Sequence, residues 1–164
     1  MAGYSGSPLP KTLGIKAGHK VCLLNAPGHV ERHIHAADDV RIAHDLRLPP
    51  VDVVVLFVDC VADLEKRFAD IAARLHPSGG FWVAWRRRAT DITEDVVRRI
   101  ALAVGMVDNK AVSIRGGWSG LRLVLRPEIR DAIAYRAVPM IPRRTRRPTA
   151  PGSAMHRARA RSTK

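Results

Sequence analysis

The chain has 164 residues, of which 46% are hydrophobic, and a net charge of +13, which bounds it to one folded domain with extensions. Cys22 and Cys60 are too few for a disulfide framework or a cysteine-based zinc site. Met1 to Gly14 lacks the apolar stretch of a signal peptide, and the longest apolar run, Val51 to Ala62, is broken by Asp52 and Asp59 and is too short to span a bilayer, so a cytoplasmic protein with no membrane segment is expected. Residues 1–126 hold 18 Lys or Arg against 13 Asp or Glu, whereas residues 127–164 hold 10 against 2. The division that follows is an α/β domain over 1–126, only mildly basic, and a basic tail over 127–164. Arg outnumbers Lys 22 to 6, which with abundant Ala and Val reads as GC-rich coding rather than as a binding signature.

In chain order, residues 3–18 form a lead-in with one helical turn around Lys11–Leu13. Lys20–Asn25 is an apolar run of the kind buried on both faces of a parallel sheet, stopped by Ala26-Pro27-Gly28. A weakly helical or looped stretch rich in histidine follows, then a short strand over Val40–Ala43. Val53–Val58 is almost wholly β-branched or aromatic and is the strongest strand. Val61, Leu64, Phe68, Ile71 and Leu75 recur at helical spacing, and Gly79-Gly80 is expected to end that helix. Phe81–Trp85 is a third buried strand, on which Trp82 and Trp85 point to opposite faces. Asp91 and Glu94 suggest a reciprocal cap for a helix that turns Ile92, Val96, Ile100 and Val104 inward and stops at Gly105. Ala111–Ile114 and Leu121–Leu125 close the domain as an antiparallel pair, joined by the glycine-rich turn Arg115–Gly120, and the last strand offers an edge through which a dimer can pair. Residues 138–164 carry eight basic residues, four prolines and no acid, so disorder is expected there.

Alternating strands and helices imply right-handed crossovers. The expected fold class is α/β: a compact Rossmann-like three-layer sandwich with a mostly parallel sheet and a C-terminal antiparallel hairpin, the layout of the Rossmann-like methyltransferase class in shortened form. Gly3-Tyr-Ser-Gly-Ser-Pro-Leu9, Lys11-Thr-Leu-Gly-Ile-Lys-Ala-Gly18, Val53–Val58, Phe81–Trp85, Asp91–Val96, Val107-Asp-Asn-Lys110 and Trp118-Ser-Gly-Leu-Arg122 carry a resemblance. Over about residues 2–126 the chain resembles the bacterial domain-of-unknown-function family 3052. That family has no established activity, so the resemblance implies a fold and not a function. Arg86-Arg-Arg88 stands where the family pattern leads one to expect Pro-Lys-Lys, and Asn25-Ala26-Pro27 where it has Gly-Ala-Pro. His76-Pro-Ser-Gly-Gly80 also resembles the Pro-Gly-Gly turn of many S-adenosylmethionine-dependent methyltransferases.

In open parallel sheets ligands bind beyond the carboxyl ends of the strands. The candidate ligand residues are therefore Asn25, Gly28, Asp59, Trp85 and Arg86, with no catalytic residue assignable. The first strand-to-helix turn offers only Gly28 for close backbone approach to a cofactor, and the acid that would serve a ribose is open among Asp38, Asp39 and Asp45. The sequence thus favours a non-enzymatic binding module with no cofactor. Two alternatives are a divergent S-adenosylmethionine-dependent methyltransferase and a nucleic-acid-associated protein acting through its Arg-rich tail. In the tail, Arg143, Arg144, Arg146 and Arg147 would attract nucleic acid or an acidic protein weakly and without sequence preference. His19, His29, His33, His35 and His44 cluster, with His33 and His35 on one face if that stretch is a strand, but no Cys or Glu at zinc-site spacing joins them, so no metal site is expected. Cys60, at a strand end, is a nucleophile only if a base stands nearby, and Cys22 is a buried small residue.

Overall fold

The β-branched run at Val51–Val58 becomes an inner strand, β3, of the computed structural model, which describes residues 8–35, 39–47 and 50–137. Around it a six-stranded sheet runs β2-β1-β3-β4-β6-β5, with β1 at Lys20–Leu24, β2 at Arg41–Ala43, β4 at Leu75–Arg86, β5 at Met106–Ile114 and β6 at Trp118–Leu125. The pairs β1–β2, β1–β3 and β3–β4 are parallel, while β6 runs antiparallel to both β4 and β5. This is the expected α/β class. The last strand, however, is interior: β2 and β5 form the edges, so pairing through β6 to make a dimer is ruled out by its two occupied sides.

Strand alternation divides the core between the two sheet faces. Val53, Val55 and Phe57 join Leu13, Ile15, Val30 and Ile34 under helices α1 (Leu9–Thr12) and α2 (Gly28–His35). Val54, Leu56 and Val58 join Leu64, Phe68, Ile71, Val97 and Ala101 under α3 (Val61–Arg74) and α4 (Glu94–Ala103). Trp82 is 0% exposed and Trp85 5%, on opposite faces as their spacing requires. The Trp82 indole N–H donates to the Leu13 carbonyl at 3.0 Å, fastening the end of the α1 turn to the middle of the sheet.

Several local expectations give way to tertiary contacts. Helix α3 stops at Arg74, and Leu75 already opens β4. Pro77 cannot continue a helix, and Gly79-Gly80 lie inside the strand. A side chain on Gly79 would stand 2.6 Å from the Asp52 carbonyl, where the β3–β4 register jumps between Val51↔Leu75 and Val53↔Gly80. The α4 cap is Thr93, whose hydroxyl accepts from Val96 N–H at 3.3 Å. Asp91 instead accepts from Val61 N–H at 2.9 Å, across the fold at the start of α3. On α4 the buried residues are Val97 and Ala101, with Ile92 buried ahead of it and Val104 exposed beyond it. Gly105, at φ 79°, ends this helix as expected. The histidine-rich stretch is the helix α2, so His33 and His35 do not share a strand face.

Past residue 126 the chain forms a further helix, α5 (Pro127–Ala137). Its half-buried Ile129 packs on the α3/α4 core and reaches Gly105, where any side chain would collide with its Cδ1 atom. Residues 138–164, including Arg143, Arg144, Arg146 and Arg147, lie outside the described residues. No helix among the described residues is long and apolar enough to cross a membrane.

Candidate functional site

Strand β1 has β2 on one side and β3 on the other, so successive connections leave it in opposite directions. Such a switch opens a crevice at the carboxyl ends of the strands. Asn25 ends β1 at φ 58°, a left-handed conformation that asparagine tolerates better than most side chains, and so bends the chain toward α2. Pro27 offers its carbonyl to the amides of Val30 and Glu31 at 3.0 and 3.3 Å. Gly28, the first residue of α2, is exposed, and nothing lies within 4 Å of the place its side chain would occupy. Asp59 is exposed at the end of β3, and Arg86 at the end of β4.

Four of the five sequence candidates, Asn25, Gly28, Asp59 and Arg86, therefore share one rim. Trp85 is set just beneath it, in the α3/α4 core. Trp118, at the start of β6, is equally buried, in the α1/α2 core, and lies beneath Arg86. The Arg86 guanidinium carbon stands 4.1 Å from the centre of its ring, and Phe57 meets it edge-on at 4.9 Å. Among the acids weighed for the β2 position, Asp45 lies just past the carboxyl end of β2, whereas Asp39 precedes the strand at the opposite side of the sheet. Asp38 lies outside the described residues. Asp45 accepts from Arg47 N–H at 3.0 Å, and its backbone carbonyl accepts from the Cys22 thiol at 3.3 Å.

The turn Arg115–Gly117 arches over this end of the sheet. His29 Nε2 donates to the Arg115 carbonyl at 2.7 Å, and Arg86 Nη1 donates to the Gly116 carbonyl at 3.2 Å. Arg87 N–H donates to the Gly117 carbonyl at 2.9 Å. Gly116 and Gly117 have φ of 93° and 80°, the region that favours glycine, and His29 fills the space a Gly116 side chain would need. The sequence carries no local sign of this strap, because His29 and Arg115 are 86 positions apart.

Beside the rim, Glu31 accepts from His44 Nε2 at 2.7 Å, with His35 at 3.5 Å. The His44 hydrogen bond leads the effects that hold this carboxyl below its usual range. No group of three or more His, Cys, Asp or Glu among the described residues is arranged to hold a metal. Burial, with Asp45 adding to it, pushes the Cys22 thiol up to about 11, which leaves it protonated and unreactive near neutral pH. Cys60 is half-buried in the N-cap position of α3 and caps no amide with its side chain.

No known family profile matches the chain, and no curated protein matches it in sequence. Solved structures do match. The pyocyanin biosynthetic protein PhzM is 11% identical with a TM-score of 0.52, covering 72% of this chain and 53% of its own, so the chain spans about half of that protein. The ribosomal protein L11 methylase of Lactobacillus delbrueckii subsp. bulgaricus is 10% identical with a TM-score of 0.50, covering 68% of this chain and 72% of its own. The fold is the Rossmann-like α/β sandwich that these structures share. A TehB-like SAM-dependent methyltransferase from Corynebacterium glutamicum ATCC 13032 Kitasato also matches, at 13% identity and a TM-score of 0.45, covering 69% of this chain and 83% of its own. At these identities the likeness speaks for the fold, and function must be argued from the rim itself.

Proposed function

We propose that the rim binds S-adenosylmethionine and that the protein is a divergent methyltransferase, with Asn25, Gly28, Asp45 and Asp59 on the cofactor side. The observation that carries this reading is the meeting of these four residues at the carboxyl ends of β1, β2 and β3, where strand order switches. The local chemistry fits such a ligand. Gly28 leaves open space against the backbone, and the amides of the first turn of α2 favour a carboxylate at a helix N-terminus. Asp45, with 58% of its side chain exposed, would accept hydrogen bonds from two neighbouring ribose hydroxyls. When bound, the cofactor supplies an electrophilic methyl group. Asp59 would take the proton released by an acceptor N–H or O–H, and Asn25 would keep the β1–α2 turn at the height the ligand requires.

A binding module without transfer chemistry is the second reading. It is favoured by the bonds from His29 and Arg86 to the Arg115–Gly117 turn, which tie that turn over the rim. The test is thermal melting of the full chain with S-adenosylmethionine or its demethylated product. A ligand at ten times its dissociation constant adds about 1.4 kcal/mol, a shift of about 3–6 °C for a domain of this size. Asp45→Asn should weaken binding about tenfold, the loss of roughly one charge-assisted contact. No shift at millimolar cofactor overturns both the binding site and the enzyme. A shift that Asp45→Asn leaves unchanged moves the site elsewhere.

A further inference from the structure

Among the described residues, helices α1 and α2 cover one sheet face only in part. Over β1 and β3 they bury Val21, Leu23, Val53 and Val55. The same face continues across β6 and β5, where Val107↔Val124, Lys110↔Arg122 and Val112↔Gly120 stand opposite one another. Alternation assigns these side chains to the α1/α2 side, since Met106, Leu121, Leu123 and Leu125 belong to the other core. Val107, Val112 and Val124 are half-buried, which leaves a shallow aliphatic floor around Arg122. The Arg122 guanidinium rests on the backbone of Gly80: a side chain there would lie 2.6 Å from Nε and 2.9 Å from Nη2.

Two half-buried arginines are held by acids, whereas Arg122, like Arg67, is not. Arg98 holds Glu94, Asp95 and Asp108, and Arg74 holds Asp70 and the Leu46 carbonyl. Arg122 has no hydrogen bond or ion pair among the described residues, and burial alone pushes its pKa down. Its nitrogens stay open to water, since no buried side-chain nitrogen among the described residues lacks a partner, and a carboxylate is the stronger acceptor for them.

We propose that this face docks an acidic peptide segment of a partner protein, with a carboxylate paired to Arg122 and the flanking apolar side chains laid on Val107, Val112 and Val124. Charge complementarity selects that occupant: Lys110 sits directly across from Arg122, its ammonium donating to the Thr12 carbonyl at 2.9 Å, so the face presents two cations side by side. One guanidinium and one ammonium among three valines do not make a stripe that tracks phosphates, so a nucleic acid suits the face poorly.

The probe is a labelled short peptide with a Val-Glu-Val-Glu-Val centre and Gly-Ser ends, compared with its Gln counterpart by anisotropy against the full chain. The native protein is expected to bind the Glu peptide about tenfold more tightly, and Arg122→Gln to bring the two within about twofold. Gly80→Ala keeps the charge but displaces the guanidinium, and should also erase most of the preference. Thermal melting of each variant at or near the native temperature establishes that it is folded. A Glu preference that survives both substitutions would assign the peptide to the basic tail and overturn the proposal. So would a single-stranded oligonucleotide whose binding falls with Arg122→Gln while peptide binding stands, or a dimer in sedimentation that Arg122→Gln disperses.

Discussion

Gly116→Ala should destabilise the protein by about 2–3 kcal/mol, and the figure can be built from two separate costs. Gly116 has φ 93°, and a side chain there would stand 2.9 Å from His29 Cε1 and 3.2 Å from Nε2. Holding an alanine in the left-handed region costs about 1–2 kcal/mol. Moving the imidazole aside breaks its bond to the Arg115 carbonyl, a net loss of about 0.5–1.5 kcal/mol. The assay is urea denaturation of the full chain followed by circular dichroism, applied to Gly116→Ala, His29→Ala and the double variant. His29→Ala should cost about 0.5–1.5 kcal/mol by itself. In its absence the collision vanishes, so the double variant should fall short of the summed losses by about 0.5–1.5 kcal/mol, the bond counted twice. Strict additivity within about 0.3 kcal/mol would show that Gly116 is not glycine for the sake of His29. Native stability in Gly116→Ala would refute both parts of the reasoning.

Two further outcomes follow from the core. Trp82→Phe removes the donor of the Leu13 carbonyl, whose residue is 0% exposed, and leaves a small void, so a loss of about 2–4 kcal/mol is expected. A urea midpoint equal to the native one would show that the carbonyl finds another donor. Cys22 has its folded thiol pKa raised from 9.0 to about 11, so its contribution is fully present below pH 9 and is lost as pH rises toward 11, because only the unfolded thiol ionises in that window. The urea midpoint should therefore fall between those pH values in the native chain and stay flatter in Cys22→Ala. Equal slopes would remove the thiol from the account.

Much of the fold is legible in local pattern, and the exceptions have identifiable causes. The strands at 20–24 and 51–58 announce themselves because residues buried on both faces must be apolar without interruption. Gly105 as a helix stop is a local requirement of backbone conformation, and it holds. Gly79-Gly80 looks like the same signal, yet there the absent side chains serve close approaches, to the Asp52 carbonyl and to Arg122. Asp91 and Glu94 have the spacing of a local cap, but Asp91 is drawn to the amide of Val61, 30 residues away. On the rim, Asn25, Gly28, Asp59 and Arg86 could be read because strand ends are local features. That Trp118 lies beside Arg86 is set by the β4–β6 register and has no local sign.

The order of apolar runs and helical stripes was enough by itself to determine an α/β sandwich, with its crossovers and its final antiparallel pair. Only the tertiary structure decided that Trp85 and Trp118 are buried on opposite faces with Arg86 over the Trp118 ring, that His29 holds the distant Arg115 turn, and that Arg122 has no counter-charge among the described residues. The physical reason is that burial period is a property of a few consecutive residues, which the chain carries locally. The partner of a polar group is chosen by register and crossover between segments far apart in sequence, and no local pattern records that choice.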